Sequence, residues 1–580
     1  MIRLLPKQVV LFHVVLIHVV MLGLVVGVPD TWAAAEGTNA NAAANADLVA
    51  AASLMQTGKF ADAAQRLDAI VKREPQNAQA WRMLGDARLR AKEPDAALAA
   101  YQKLVELEPD SPRGLYGIGV VHAVRKDADG AFEWFGKAKA THKLDMTMIV
   151  ADQNLKALKD DPRFKALLPK PEDFANPFVE DVKIVREWHG EAVNDQFGWI
   201  ARGLGDVDGD GVADFVTSAP TNAAGGEGAG RVYVYSSASG KLLWSADGKA
   251  GDQLGTGVES AGDTDGDGVQ DVVASAPGSE TAYVYSGKDG HVLLTVHGEA
   301  KGDNFGNHVS SVGDIDRDGH ADFIVGAPSN GAAGKDAGRA YVYSGKDGHV
   351  LLTLTGEHAG EQFGSAVTGY SDAKHRFLVV GAPAAGARKT GRVYIYDSLA
   401  QKPKFTVDSD VTGAALGYMF LAVLGDVDGD GVPDIYASDW SNSAKGPSTG
   451  RVYAWSGKTG KQLLALTGET AGEGFGTTHA LAGDVDGDGR ADLIVGSWQY
   501  AGAAISGGRA YLFSGKDKKL LKTYTCRIPG DTFGFDAVTL GDVDHDGTDD
   551  LLITSGWSSV SGFHSGRVFL ISSGVARARR

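Results

Sequence analysis

Cysteine is almost absent from this chain of 580 residues, in which Cys526 stands alone. One cysteine permits no intramolecular disulfide and no thiolate cage for a metal. Basic residues are outnumbered, with 56 Lys and Arg against 73 Asp and Glu and a net charge of −17. Nucleic acid is therefore not an expected partner. After residue 35 no stretch is apolar enough to cross a bilayer, which excludes a polytopic membrane protein.

Glycine, in contrast, is abundant at 78 of 580 residues. That is roughly twice its usual share, and the chain lacks the every-third-residue period of collagen. Many tight turns are expected instead. The length favours about three or four domains over one compact core.

The N-terminal segment has the features of an export signal. Arg3 and Lys7 precede an apolar run from Val9 to Val28, and small residues follow at 33–35. We interpret residues 1–35 as a signal peptide, with an uncleaved signal anchor as the alternative, and 36–44 as a linker. Either interpretation predicts an extracytoplasmic protein that meets a membrane only through an uncleaved anchor.

A first repeat system has a period of 34 residues. Equivalent positions carry Ala63, Ala97 and Ala131, then Leu67, Tyr101 and Phe135, then Gly85 and Gly119. With Trp81 and Leu84, this pattern resembles the tetratricopeptide repeat, which implies stacked helix pairs with a surface for a protein partner. We assign residues 45–168 to these all-α repeats, with a capping helical stretch from Thr147 to Leu168, and 169–181 to a linker.

A second system fills residues 182–574, and its seven units begin 51 to 59 residues apart. They start at Phe197, Leu254, Phe305, Phe363, Leu416, Phe475 and Phe533, each followed by Gly. Each unit continues with an acidic loop or its remnant, an apolar strand and usually a Gly-Arg-Val-Tyr-like strand. Seven units of four short strands predict an all-β seven-bladed propeller. Residues 575–580 form a basic tail.

The third unit shows the pattern most fully, with Phe305-Gly306, Asp314-Ile-Asp-Arg-Asp-Gly, Val325-Gly-Ala-Pro328 and Gly338-Arg-Ala-Tyr-Val-Tyr343. It resembles the FG-GAP repeat of integrin α-subunit propellers, and this resemblance implies adhesion-type binding. The integrin ligand-binding inserted domain has no counterpart here. Residues 182–191 match the strand that ends other units, whereas the seventh unit stops after Ile571, so we predict that the start of the domain completes the last blade.

Six loops read Asp-x-Asp-x-Asp-Gly-x-x-Asp, a pattern of four carboxylates within nine residues. All-oxygen ligands around a glycine bend suit Ca²⁺, with a backbone carbonyl at the seventh position. The twelfth position lacks the Glu of the helix-loop-helix calcium hand, being Thr217 in the first loop. We predict about six Ca²⁺ ions, bound by Asp206, Asp208, Asp210 and Asp214; Asp263, Asp265, Asp267 and Asp271; Asp314, Asp316, Asp318 and Asp322; Asp426, Asp428, Asp430 and Asp434; Asp484, Asp486, Asp488 and Asp492; and Asp542, Asp544, Asp546 and Asp550.

Two departures from the repeat carry predictions of their own. The fourth unit has a shortened turn, residues 370–377, with one carboxylate, so we predict no ion there and place Lys374 in its space. The last three units carry Trp440, Trp498 and Trp557 where the others have Pro. These tryptophans either form a row that binds a glycan or protein, or pack on neighbouring blades.

No catalytic constellation accompanies these repeats. Gly446-Pro-Ser448-Thr-Gly450 matches the nucleophile-elbow spacing, but a β-strand follows it rather than a helix. We therefore predict a non-enzymatic, exported calcium-binding scaffold of the adhesion type that binds proteins or glycans at the cell envelope. Two alternatives stay open: a polysaccharide lyase or hydrolase on the propeller, and an envelope assembly factor that uses its helical repeats.

Overall fold

The computed structural model describes residues 47–577 except 49, 56, 387–388, 412–414 and 447. The predicted export signal and the linker at 36–44 lie outside the described residues, as do the last three residues of the basic tail. The chain divides into two compact units after Asn176. Within the described part of the chain, none of the helices combines the length and the apolar character needed to cross a bilayer.

The first unit is a stack of helices with the predicted 34-residue repeat. Residues 47–48 and 50–55 are helical. A Cβ atom at Gly85 would lie 2.5 Å from the ring of Tyr101, and one at Gly119 would lie 2.6 Å from that of Phe135. The repeated glycines therefore let the aromatic residue of the next helix approach closely. The helices are α1 Phe60–Arg73, α2 Ala78–Arg90, α3 Pro94–Leu107, α4 Pro112–Val124, α5 Ala128–Ala140 and α6 Pro162–Leu167.

The capping stretch differs from the helical stretch predicted for 147–168. It forms two 3₁₀ turns, Met146–Val150 and Gln153–Leu158, followed by α6. Each of these begins after an aspartate, namely Asp145, Asp152 or Asp161, whose side chain accepts a hydrogen bond from the backbone N–H two residues on. Such capping starts a new turn each time and divides the segment.

The second unit is the predicted propeller of seven antiparallel sheets. Its blades are β2 Ala201–Gly205, β3 Asp214–Ala219, β4 Arg231–Tyr235 and β5 Leu242–Asp247; β6 Val258–Gly262, β7 Asp271–Ala276, β8 Thr281–Tyr285 and β9 Val292–His297; β10 Val309–Gly313, β11 Asp322–Ala327, β12 Arg339–Tyr343 and β13 Val350–Thr355; β14 Val367–Ser371, β15 Arg376–Ala382, β16 Arg392–Asp397 and β17 Phe405–Asp408; β18 Leu421–Val423, β19 Ile435–Asp439, β20 Arg451–Trp455 and β21 Gln462–Thr467; β22 Leu493–Ser497, β23 Arg509–Phe513 and β24 Leu520–Thr525; and β25 Ala537–Gly541, β26 Asp550–Ser555 and β27 Arg567–Ser572 with β1 Ile184–His189.

The ring closes as the sequence predicts. Strand β1 pairs antiparallel with β27, so the last blade has the order β1-β27-β26-β25. Trp188 of this strand is buried and its ring lies 4.7 Å from that of Phe215 in the first blade. The first and last parts of the domain are thus joined by both hydrogen bonds and apolar packing, which leaves no open edge between them.

The landmark Phe or Leu of each unit is buried, and Phe197 and Phe363 belong to cores shared by adjacent blades. Phe197 is buried against the Tyr233 ring at 5.2 Å, and Phe363 lies against the Tyr394 ring at the same distance. The glycine that follows Phe363 has φ +88°, and a Cβ atom there would lie 2.1 Å from the Arg339 carbonyl oxygen. The Phe-Gly pair therefore supplies one core ring and one close backbone contact.

Blade six has three strands where four were expected. Between Phe475 and Gly483, the segment that would form its innermost strand turns on itself instead: Ala480 has φ +60°, and its carbonyl accepts from the Ala482 N–H at 3.1 Å. The Thr478 hydroxyl bonds the Ile494 carbonyl at 2.7 Å. These local bonds replace a regular ladder, and His479 within this segment is buried.

The end of the predicted linker belongs to the propeller. The Val179 N–H donates to the Thr525 carbonyl at 2.9 Å, and the Glu180 carboxylate accepts from the Thr525 N–H at 2.6 Å. Between them the Phe178 ring lies 5.0 Å from Phe533 and 5.3 Å from Phe569. Residues 177–180 therefore pack across blades six and seven.

We expect Phe178→Ala to lower the free energy of unfolding of the propeller by about 3 kcal/mol, because it leaves a cavity between two aromatic rings. Val179 is 52% exposed and supplies a matched control. Val179→Ala is expected to cost less than about 0.5 kcal/mol. Chemical denaturation measures both, and equal costs for the two variants would contradict the packing described here.

Candidate metal centres

Five of the six acidic loops join the innermost strand of a blade to the second strand, and that of blade six follows the irregular segment. The structure draws the carboxylates of these loops together. Three carboxylates of one loop can place an oxygen each within 4.8 Å of one another. This holds for Asp206, Asp208 and Asp210; Asp263, Asp265 and Asp271; Asp314, Asp316 and Asp322; Asp426, Asp428 and Asp434; and Asp484, Asp486 and Asp488. In the loop of blade seven, the ammonium group of Lys183 lies within 2.7 Å of both Asp544 and Asp546.

The backbone of each loop wraps around its first carboxylate. In blade one, Asp206 Oδ1 accepts from the N–H groups of Gly209 and Asp210 at 2.8 and 3.0 Å, and its Oδ2 accepts from Gly211 at 2.8 Å. Gly209 and Gly211 have φ of +81° and +90°. Glycine permits this left-handed backbone, so the loop is shaped before any ion is considered.

The ninth-position aspartate ties the loop to the blade. Asp214 is fully buried, and its two oxygens accept from the Val207 N–H at 2.9 Å and the Ser237 N–H at 3.0 Å. Burial raises its pKa to about 6, against the effect of these hydrogen bonds and with the help of the neighbouring Asp208 charge. The pKa is raised to about 6 in the same way, by burial first, at Asp322, Asp434, Asp492 and Asp550.

These loops fit a divalent cation. The charge of a neighbouring carboxylate adds to the raised pKa of the ninth-position aspartate in blades one and three, so negative charge is concentrated in these loops. A carboxylate oxygen that accepts one hydrogen bond also retains a further lone pair. An all-oxygen donor set of this kind suits Ca²⁺. The ion would neutralise the cluster and hold the turn against the ninth aspartate.

The turn of blade four is closed by hydrogen bonds. Asp372 Oδ1 accepts from the N–H groups of Lys374 and His375, each at 2.6 Å. Arg376 donates to the Ile315 carbonyl at 2.7 Å. Lys374 itself is exposed rather than inside the turn. The absence of an ion from this blade stays a prediction.

The three tryptophans of blades five to seven are buried. Trp498 is fully buried, Trp440 is 5% exposed and Trp557 is 9% exposed. The rings of Trp498 and Trp557 stack at 5.0 Å, and Trp557 lies 5.5 Å from Trp199 of blade one. Geometry thus favours the packing interpretation, because these side chains present little surface to a ligand.

A cluster of buried charges between the blades was not identified from the sequence. Arg202 donates to Glu259 at 2.8 Å, and it also bonds Asp536 and His479. Both Arg202 and Asp536 are at most 3% exposed. Burial raises the pKa of Asp536, but the Arg202 and His479 charges outweigh it and lower that pKa to about 2. Arg202 and Glu259 occupy equivalent positions of two adjacent repeats, five residues after the landmark Phe or Leu. Opposite charges at equivalent positions are the sequence signal from which this ion pair could have been predicted.

This cluster borders a cavity of about 600 Å³ between the innermost strands. Arg202 and Glu259 lie on one side, and Asp426, Asp484 and Arg490 come from the acidic loops of blades five and six. The irregular segment of blade six contributes Leu481, which is 36% exposed. The irregular segment of blade six thus lines this cavity beside the acidic loops.

Glu473 predicts a pH dependence of stability. It is 1% exposed, accepts from the Glu469 N–H and the Thr470 hydroxyl, and has a pKa raised to about 7, chiefly by burial. Because its pKa is higher folded than unfolded, its protonated form favours folding, and this stability is lost as the pH rises through 7.

We expect Glu473→Gln to be more stable than the unsubstituted chain at pH 8, by on the order of 2 kcal/mol, and no more stable at pH 5. Melts of both proteins in calcium across this range isolate the contribution of Glu473, since all other groups are shared. A constant difference between them would contradict the prediction.

Comparison with known protein families agrees with both repeat systems. Residues 48–112 and 82–143 match a tetratricopeptide repeat model. Residues 197–235 and 305–343 match the FG-GAP repeat, and 426–495 match an FG-GAP-like repeat. The chain therefore combines N-terminal tetratricopeptide repeats with a seven-bladed FG-GAP propeller.

Three curated relatives illustrate its similarities. Integrin alpha pat-2 of Caenorhabditis briggsae is 28% identical over 32% of this chain and 18% of its own length. Integrin alpha-4 of Xenopus laevis is 31% identical over 30% of this chain and 18% of its own. Phosphatidylinositol-glycan-specific phospholipase D of Bos taurus is 29% identical over 38% of this chain and 28% of its own. The matches span less than a third of the length of each relative. The FG-GAP propeller is related to the propellers of integrin α-subunits.

Proposed function

We propose that this protein is an exported, calcium-loaded binding scaffold of the adhesion type, which holds protein or glycan ligands at the cell envelope without catalysis. The observation that carries the proposal is the set of acidic loops, whose carboxylates converge in one blade after another. The integrin names among its relatives support a binding role. One ion in each of the six loops would stiffen one side of the ring. Loops elsewhere on the ring would remain available to contact ligands.

The helical repeats offer a second binding surface. This surface supports the alternative that the helical repeats contribute to function by docking a partner in the envelope. On α2, Arg82, Asp86 and Arg90 form one stripe at four-residue spacing, and Arg82 lies 3.5 Å from Asp86. The equivalent residues 34 positions later on α4 are Tyr116, Val120 and Val124. A polar stripe thus lies one repeat before an apolar one.

The chain itself covers most of the apolar stripe. Tyr116 and Val120 are buried in one core with Met146, Ile149 and Leu155 of the capping turns. The Tyr116 hydroxyl donates to Asp152 at 2.9 Å. Within the charged stripe of α2, Arg82 is 8% exposed and Arg90 is exposed. A protein partner of the helical unit would therefore meet the Arg90 end of this stripe.

Binding assays with residues 36–580 test the two surfaces. We expect calcium-dependent retention of envelope or matrix glycoproteins, lost with chelator. If the helical unit contributes, Arg90→Glu weakens retention at least tenfold while Glu106→Lys, an exposed change on α3, leaves it unchanged. Turnover of a polysaccharide or a phosphatidylinositol glycan would instead support an enzyme, and calcium-independent retention would contradict the calcium-loaded scaffold.

A further inference from the structure

The six acidic loops carry aspartates at the same four positions, but they differ in the basic side chains around them. In blade seven, Lys183 Nζ lies 2.6 Å from Asp544 Oδ2 and 2.7 Å from Asp546 Oδ2. These are the third and fifth residues of the loop, two of the four predicted ligands. A single ammonium group therefore bridges carboxylates that the other loops would offer to an ion.

Elsewhere the basic groups are farther away and reach one carboxylate each. Lys346 lies 3.6 Å from Asp318 in blade three, Arg490 lies 3.6 Å from Asp426 in blade five, and Lys516 lies 3.8 Å from Asp488 in blade six. At these distances an ion and the basic side chain can both be accommodated. Only the loop of blade seven, among these four, has its cation in direct contact with two ligands.

The position of Lys183 follows from the closure of the ring. Lys183 directly precedes β1, and its carbonyl accepts from the Ser572 N–H of β27 at 3.0 Å. In blades three and six, the nearby lysine belongs to the turn between the two outer strands, which are β12 and β13 or β23 and β24. Blade seven has no such turn, because its outer strand comes from the start of the domain, so the lysine arrives with that strand.

We propose that the loop of blade seven is the weakest of the six calcium sites because Lys183 competes with the ion for Asp544 and Asp546. This inference rests on the proposed calcium binding. Ca²⁺ must displace the ammonium group or accept a positive charge about 5 Å away, and repulsion of that size in water corresponds to an affinity about tenfold lower. Binding at blade seven also frees Lys183 from its pairing beside the closing strand.

Equilibrium dialysis with radioactive calcium tests the proposal on residues 36–580. We expect about five ions in a tight class and one in a class about tenfold weaker. Lys183→Met removes the competing charge and keeps the length of the side chain, so it is expected to move the sixth ion into the tight class. Lys346→Met is the matched control, since it removes a lysine beside the loop of blade three that contacts only one carboxylate, and it should leave the two classes unchanged.

Asp544→Asn locates the weak site, because it should abolish the weak class and spare the tight one. Near-ultraviolet circular dichroism confirms that each variant is folded. Six equivalent ions in the unsubstituted chain, or a weak class that Lys183→Met leaves unchanged, would overturn this inference while calcium binding itself stands. If no ion binds to any of the proteins, the calcium function fails and the inference fails with it.

Discussion

Removal of calcium is expected to lower the melting temperature of residues 36–580 by more than about 10 °C. An ion that binds only the folded protein stabilises it by ~2.7 kcal/mol at a concentration a hundred times its dissociation constant, and the chain offers six loops. Six ions would also reduce the net charge of the full chain from −17 to about −5, which relieves repulsion among the loops. Thermal melts with calcium and with a chelator measure the shift.

Substitutions in single loops separate a specific effect from a general salt effect. Asp208→Asn removes a predicted ligand in blade one and should reduce the calcium-dependent shift by the share of one loop. Asp372→Asn is the matched control, because that carboxylate closes the blade-four turn through backbone hydrogen bonds. Equal losses of the calcium-dependent shift in both variants would contradict the assignment of ligands.

The second large effect is expected at the buried charge cluster. Asp536→Ala should destabilise the propeller by about 4 kcal/mol, because it leaves Arg202 buried with one of its two carboxylate partners missing. Asp536 has a pKa lowered to about 2, so its contribution is complete above pH 4 and is lost only as the pH falls through 2. Urea denaturation at pH 7 measures the cost.

A double variant distinguishes a paired charge from simple loss of packing. Arg202→Met with Asp536→Leu removes both charges and keeps most of the volume, so it should cost much less than Asp536→Ala alone. If the double variant is as unstable as the sum of the two single substitutions, the ion pair is not what the site depends on.

Much of the fold could be predicted because the same sequence pattern recurs in each repeat. Phe197, Leu254 and their equivalents mark each blade, and residues 182–191 could be placed in the last blade by their likeness to other outer strands. The acidic loops could also be identified from the sequence, since the same spacing of aspartates recurs six times. Local patterns of this kind need no knowledge of distant contacts.

The remaining features depend on contacts between parts of the chain that carry no shared pattern. Phe178 lies in a stretch that resembles a linker, and its ring packs against Phe533 and Phe569, which follow it by more than 350 residues. His479 is buried beside Arg202 and Asp536, which belong to other blades, and nothing in its own repeat marks these partners. The sequence left open whether the tryptophans form a binding row or pack on neighbouring blades, because the repeat alone could not show that Trp498 and Trp557 stack on each other.

The most direct test of the account is the number of calcium ions that the folded chain holds. Residues 36–580 are dialysed against millimolar calcium, desalted rapidly and analysed by native mass spectrometry, beside a sample treated with chelator. The account predicts close to six ions per chain, with a loss of one when Asp208 and Asp210 are both replaced by asparagine. A chain that carries no calcium while its propeller remains folded would contradict the claim that these loops are metal sites.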